Sequence, residues 1–292
     1  MPWIILAILA ALIWSAVNII DKFIISHELR DPILATVVFG IVSFILFGIV
    51  SLIFGNIFLS LTTIIIAIAV GVFYTIGGLF YYVELRKEEV SRFIPILSTI
   101  PIFVLIFAFI FLGERFAALT YLGIILIVLG AILVSIKKIT YKVGFSATFL
   151  IAIGAALFFA LRDVLTKVAT LQASIWSILF WVGIGSGLVS IFLFSLHHPH
   201  IRKQAELGIK HLILVAALGV TAFFIFIMAI LNGPVSLVSA LVGVRSLFVF
   251  IAATVLSIYW PKILKEKITK SILLQKIIAI ILVIIGAILV VA

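Results

Sequence analysis

No cysteine occurs in the 292 residues. Disulfides, thiolate nucleophiles and cysteine-ligated metals are therefore excluded. Charge is scarce too: Asp, Glu, Lys and Arg make up 10% of the chain, where an ordinary soluble domain has about a quarter. Acidic residues number only 10 against 20 Lys+Arg, a formal net charge of +10. A phosphate-binding loop, a nucleophile elbow and a zinc-helix motif are all missing, so the chain reads as having no ATPase of its own. Long polar stretches are missing as well. The longest runs from about His197 to His211, and a basic one covers Pro261 to Lys276. What fills the chain is apolar side chain, 66% of residues, with a mean hydropathy of +1.52. One globular core cannot hide that much. A soluble enzyme, a disordered chain and a nucleic-acid-binding domain are excluded as first readings. The positive excess reads as loop charge beside an anionic membrane surface.

A helix needs about 20 apolar residues to cross the hydrocarbon core. Ten stretches qualify: Trp3–Ile20, Ile33–Phe54, Thr62–Tyr82, Phe93–Leu112, Ala117–Ile136, Phe145–Leu165, Ile175–Leu196, Leu212–Leu231, Val235–Tyr259 and Ile272–Val291. In lipid an unpaired backbone group costs several kcal/mol, so helix is forced. The alternation of an outer-membrane strand is absent. The first run has no Lys or Arg before it and reads as a spanning helix, not a signal peptide. The expected fold is an all-α integral membrane protein.

The spans repeat. Ala10-Ala11-Leu12 and Lys22 recur as Ala155-Ala156-Leu157 and Lys167, an offset of 145. At that offset Trp14 matches Phe159, Asn18 matches Asp163, and Val90-Ser91 recur as Val235-Ser236. Gly130–Val134 recurs verbatim as Gly286–Val290 at an offset of 156, as if 11 residues had entered the basic loop before the last span. Two halves, 1–140 and 141–292, follow. Each has five spans, and five is odd, so the ten helices form two inverted five-helix repeats. Secondary transporters are commonly built this way, with the substrate between the halves.

Ten spans put both termini on one side. The loops after spans 1, 3, 5, 7 and 9 hold 16 Lys and Arg, and the opposite side holds only Arg115 and Lys167. By the positive-inside rule the basic loops are cytoplasmic and both termini are outside.

These residues resemble a known family. The aromatic-small-x-x-Asn/Asp-x-x-x-Lys pattern closing spans one and six, the run Pro95–Pro101, and the Gly113-Glu114-Arg115 turn leading to Gly123 and Gly130 look like the drug/metabolite transporter superfamily, in its ten-helix EamA-type branch. The second copy departs from the pattern, with Glu266-Lys267 and a longer insert where the first has its Gly-Glu turn. The resemblance implies a central cavity lined by spans 1, 3, 4, 6, 8 and 9, and transport of small metabolites, often export. It also implies cytoplasmic termini. The charge bias of 16 against 2 points the other way and sets the expectation here.

A charge at the centre of a membrane helix costs about 2.5–3.5 kcal/mol on insertion scales, so it faces the bundle interior. Arg245, mid-span in Val242-Gly243-Val244-Arg245-Ser246, reads as an anion-binding group. Its alternative role is a buried ion pair with Asp163. Arg162 and Asp163 form a second cluster, and as neighbours about 100° apart they need not pair. Asp163, the mate of Asn18, is a candidate proton-coupling carboxylate. Trp14, Tyr74, Tyr81 and Phe159 are candidate cavity walls. Pro95 and Pro101, with Ser98 and Thr99, read as a kink that flexes in gating. Glu84, Arg86, Lys87, Glu88, Glu89 and Arg92 read as a salt-bridged loop, and His197, His198 and His200 as a loop without a metal site.

Together these readings give a secondary transporter of small organic metabolites, in the cell membrane, working by alternating access. Arg245, Asp163, Asn18, Tyr74, Trp14, Arg162 and Ser98 would bind substrate, and Pro95 and Pro101 would gate. No metal, cofactor or nucleic acid is expected. A small-molecule metabolite and membrane lipid are the expected partners, and the chain is a monomer or a homodimer. A flippase for a lipid-linked head group and a non-transporting membrane scaffold are the alternatives. A C-terminal reporter active only in the cytoplasm is expected to stay silent; reporter activity would reverse the orientation.

Overall fold

The computed structural model describes residues 2–55, 57–87, 93–94, 97–135, 147–197, 206–259 and 270–291. Among them every regular element is helical. The elements are α1 Pro2–Phe23, continued by a π turn Ile24–Glu28, α2 Pro32–Phe54, α3 Leu61–Lys87, α4 Ile100–Leu112, α5 Ala118–Ser135, α6 Ala147–Thr170, α7 Ile175–His197, α8 Glu206–Asn232, α9 Val235–Val242, α10 Arg245–Tyr259 and α11 Lys270–Val291. Six helical stretches of the described chain are long and apolar enough to cross a membrane, and three shorter apolar helices accompany them.

The outside of the bundle is apolar. Ile5, Leu52, Phe58, Leu119, Ile191 and Leu214 are each at least 60% exposed, a surface that suits lipid and not water. The inside is small: Ala7, Ala10, Ala35, Ala67, Ala155 and Ala160 are fully buried. Lipid tails are as apolar as leucine, so membrane helices gain little by burying large side chains and associate where small ones let backbones approach. Gly71 and Gly185 show this where α3 meets α7. A Cβ on Gly71 would collide with the Val182 carbonyl, and one on Gly185 with the Ile68 carbonyl. Ser186 seals the contact by donating to the Gly71 carbonyl at 3.2 Å.

Each end of α2 and α4 has a local cause. Asp31 caps α2, accepting from the Ile33 and Leu34 amides at 3.0 and 3.1 Å, with Pro32 at the first turn. Gly113 ends α4 in the left-handed region at φ 66°. That turn delivers the Glu114 carboxylate to α9, where it accepts from the Val235 amide at 2.9 Å, the Ser236 amide at 3.1 Å and the Ser236 hydroxyl at 2.6 Å.

Several expected boundaries move. The ninth span is interrupted at Gly243–Val244, dividing it into α9 and α10. There Val244, Ser246 and Leu247 bond three residues back instead of four, a local tightening of the helix. The fourth span is interrupted at Ser98–Thr99, and Pro101 has no N–H to offer the Leu97 carbonyl. Pro95 and the polar residues Glu88, Glu89 and Arg92 lie outside the described residues. Helix α3 runs on to Lys87 and takes in Glu84, which is fully buried 4.0 Å from the Lys87 amine, and Arg86. Helices α6 and α8 likewise extend past the apolar runs, to Thr170 and back to Glu206. At 27 residues, α3 and α8 are each about 40 Å long at 1.5 Å per residue, longer than the hydrocarbon core, so their ends carry charge into the headgroup region. Hydropathy marks the core, not the helix.

Replacing Gly71 by Ala is expected to cost about 1–3 kcal/mol through overpacking. Gly48, whose Cβ would meet nothing within 4 Å, is expected to tolerate Ala or gain slightly. Thermal denaturation of both variants in detergent checks the contrast.

Candidate functional site

Residues spaced i, i+4 and i+7 share one face of a helix. On α1 these are Trp14, Asn18 and Asp21, and on α3 they are Tyr74, Gly78 and Tyr81, with Tyr82 beside them. Those two faces, with Phe39, Leu97, Ile100, Phe159, Arg162, Gly219 and Arg245, line a central cavity. It offers about 60 Å³ to water-sized occupants. One water needs about 10–15 Å³ of such space, so the cavity as it stands has room for a few waters. A smaller cavity of about 20 Å³ adjoins it, lined by Asp163, Pro101, Ser239, Val242 and Gly243, and shares Trp14, Leu97, Ile100, Arg162 and Arg245 with the first.

Arg162 is surrounded by rings. Its guanidinium carbon lies 4.7 Å from the centre of Phe223, 5.0 Å from Tyr74 and Phe159, 5.5 Å from Trp14 and 5.8 Å from Phe226. Aromatic faces stabilise a desolvated cation by up to about 2 kcal/mol each. Gly77 makes one of these contacts possible, because a Cβ there would sit 2.8 Å from the Phe159 ring. The remaining partner is Asp163, whose Oδ1 accepts from Arg162 Nε at 2.8 Å and also from Nη2. The expectation that these neighbours need not pair is thus corrected. Their Cα–Cβ directions diverge, but the arginine stem is long enough to fold back.

Arg245 starts α10 and reaches both cavities. It is half-buried, and among the described residues no carboxylate lies within ion-pair distance of it. The ion pair with Asp163 does not form, because Arg162 holds that carboxylate. Asn18 is 4% exposed, and its Oδ1 accepts from the Tyr81 hydroxyl at 3.1 Å, while its Nδ2 is buried without a partner. Tyr74 stands against Phe39 and Phe223 and donates to the Gly219 carbonyl at 3.4 Å.

Ser98 is not brought to the cavity. Its hydroxyl donates one turn back to the Ile94 carbonyl at 3.1 Å. Pro101 lines the smaller cavity. His197 is paired with Asp31 at 2.9 Å, while His198 and His200 lie outside the described residues. Sequence reading missed Asp21, Tyr82, Phe223 and Phe226. The signal for Asp21 was available, three residues after Asn18 and seven after Trp14 on one face. Its neighbour Lys22 made it look like helix-end charge.

Against this geometry, residues 1–136 match the EamA-like transporter family. That match covers just under half of the chain. A protein of Escherichia coli (strain K12) named "Probable amino-acid metabolite efflux pump" is 30% identical over 135 residues, 43% of this chain and 45% of that one. The match therefore spans less than half of that relative. A solved crystal structure is similar over 99% of this chain and 95% of its own, with a TM-score of 0.74 at 14% identity. At that identity the likeness speaks for the fold alone. The protein is a multi-pass membrane protein with the same overall fold as that structure.

Breaking a buried ion pair from one side strands a charge and costs about 3–5 kcal/mol, while replacing both partners by apolar groups costs much less. Arg162→Leu is therefore expected to unfold in detergent at markedly lower temperature than the double variant Arg162→Leu/Asp163→Leu. Equal losses in the two would show that the rings, not the carboxylate, hold the guanidinium.

Proposed function

We propose that the protein is a secondary transporter of small organic metabolites across the cytoplasmic membrane, alternating access between two inverted halves, 1–140 and 141–292. The carrying observation is Arg245, a cation with no carboxylate partner among the described residues, hung from an interrupted helix into a cavity between the halves. A scaffold has no use for such a group.

The repeat reading is supported by hydrogen bonds that recur 145 residues apart. Lys22 donates to the Leu85 carbonyl, and Lys167 to the Ile230 carbonyl. The bonds Ser98→Ile94 and Ile102→Thr99 return as Gly243→Ser239 and Leu247→Val244. Tyr74 and Gly219, themselves 145 apart, bond to each other, as residues do across a two-fold axis. Helix pairs behave likewise: α1 packs on α8 and α3 on α6, while α2 packs on α7 and α5 on α11. Five spans per half then make the repeat inverted, with the basic loops cytoplasmic and the termini outside.

The cavity's chemistry fits an amino-acid-like metabolite. Arg245 suits a carboxylate, the amide of Asn18 an ammonium group, and Trp14, Phe39, Tyr74 and Phe159 an apolar side chain. The partial relative's name, an efflux pump for amino-acid metabolites, supports the same class. With no nucleotide site in the sequence, transport would run on exchange or on an ion gradient.

The test is counterflow of labelled L-leucine and L-phenylalanine in proteoliposomes. Removing one partner of a buried charge-assisted contact costs about 2–5 kcal/mol, or roughly 30-fold to several-thousand-fold in affinity. Arg245→Ala is expected to lose exchange by at least the lower figure while eluting as a folded monodisperse protein. Exchange at wild-type affinity would remove Arg245 from the site.

A further inference from the structure

Asp21 is 1% exposed and faces the central cavity. Among the described residues no Lys, Arg or His comes within ion-pair distance of it. Its neighbours are phenols: Tyr82 lies 3.3 Å from Oδ1 and Tyr81 3.2 Å from Oδ2. Burying a carboxylate without a cation is costly, and such a group takes up a proton instead.

The hydrogen count around Tyr81 says more. Its hydroxyl oxygen stands 3.1 Å from Asn18 Oδ1 and 3.2 Å from Asp21 Oδ2. A phenol has one proton, so it cannot donate to both. The arrangement closes if Asp21 carries the second proton: Asp21 donates to the Tyr81 oxygen, Tyr81 donates to Asn18 Oδ1, and Asn18, a residue of the cavity wall, is left with Nδ2 unused. Nδ2 is indeed buried and unpartnered. Without the proton, Tyr81 donates to Asp21. Asn18 is then satisfied only with its amide turned over, Nδ2 donating to the Tyr81 oxygen and Oδ1 facing the cavity.

We propose that Asp21 is a proton-binding carboxyl whose proton switches Asn18 between offering the cavity a donor and offering it an acceptor. The inference rests on the transport reading above and names its coupling ion. An ammonium group needs acceptors, so it is held when Asp21 is an anion and Asn18 presents Oδ1. Proton and ammonium therefore occupy the cavity by turns, which makes the protein an antiporter. The proton comes from a hydronium in cavity water, forms an O–H bond to Asp21, and returns to water on the opposite side; no other bond is made or broken. The other charged and titratable groups on the surrounding elements include Lys22 on α1, His27 and Glu28 on the π turn, Tyr74, Glu84, Arg86 and Lys87 on α3, Arg162, Asp163 and Lys167 on α6, Glu206, Lys210 and His211 on α8, the last bound to Glu28, and Arg245 on α10. Of these, Arg162 and Asp163 neutralise each other, and the Lys22 amine donates to Leu85.

The test uses the full chain in phosphatidylethanolamine/phosphatidylglycerol vesicles, with the membrane voltage clamped and labelled L-phenylalanine as probe. One proton per substrate lets a one-unit inside-acid gradient sustain about tenfold accumulation, since each is a factor of ten in concentration. Wild type is expected to approach that ratio. Asp21→Asn is expected to give no accumulation under the same gradient and to bind L-phenylalanine without the pH dependence of wild type. Binding of 3-phenylpropionate, which has no ammonium group, is expected to be free of this competition. Accumulation by Asp21→Asn at the wild-type ratio would overturn the proposal. An independent readout is the infrared carbonyl band of a protonated carboxyl in the substrate-free protein, titrating with pH and missing in Asp21→Asn. If no such band exists in wild type, the proposal fails whatever the transport result. If the band is present but wild type moves no L-phenylalanine at any pH, the transport reading and its coupling fail, and the proton site stands.

Discussion

The centre of the molecule is arranged around one guanidinium held where water is scarce. Arg162 is 5% exposed, and an isolated charge at that depth has no cheap way out. Its solution draws on α1, α3, α6 and α8 at once: one carboxylate oxygen from the next residue and five ring faces. That solution fixes much else. Phe159 must lie close to α3, so position 77 must lack a side chain. Asp163 is consumed, so Arg245 stays without a carboxylate. Among the described residues that line the central cavity, Arg245 then stands on the α10 side and Asp21 is the one carboxyl.

The two halves we propose are alike in frame and different in chemistry. The lysines that tie spans one and six to the ends of α3 and α8 occupy equivalent places, and so do the interruptions at 98–99 and 243–244. The cavity residues do not. At an offset of 145, Asn18 faces Asp163, Asp21 faces Thr166, Tyr81 faces Phe226, and Ile100 faces Arg245. A symmetric cavity would present like charges to like charges. Divergence at these few positions leaves Asp21 and Arg245 in the cavity lining without a like mate at the equivalent place of the other half.

Much of the frame was legible because lipid leaves the backbone no alternative to helix. The ten apolar runs locate the helices well, and the offset of 145 aligns what later proves to share hydrogen bonds. Helix ends were not legible. Lys87, Lys167 and Lys210 are helical, since long cationic side chains reach polar partners without breaking the helix. The Arg162–Asp163 pair was missed because a helical wheel compares directions and ignores reach. Asp21 was missed because an acidic residue beside a lysine at the end of an apolar run looks solvated. Only the packing of Tyr81 and Tyr82 over it shows that it is not.

The interruptions give the transport reading proposed above a place where the bundle would open. Where α5 meets α11, a Cβ on Gly286 would lie 2.6 Å from the Gly123 carbonyl, and α3 and α7 touch as closely. Contacts between backbones leave no slack, so those pairs move as units. The fourth and ninth spans are built otherwise. Pro101 withholds a hydrogen bond, and Gly243 brings its backbone within reach of the Pro101 ring, 3.7 Å from where a Cβ would stand. The two weak points therefore face each other, with the smaller cavity between them and Arg245 directly after the second. Bending either span there moves the cation relative to the rings of the central cavity without disturbing the helix pairs behind it. On the transport reading proposed above, a ligand carboxylate on Arg245 would act at the hinge itself, so binding and opening would need no longer path between them.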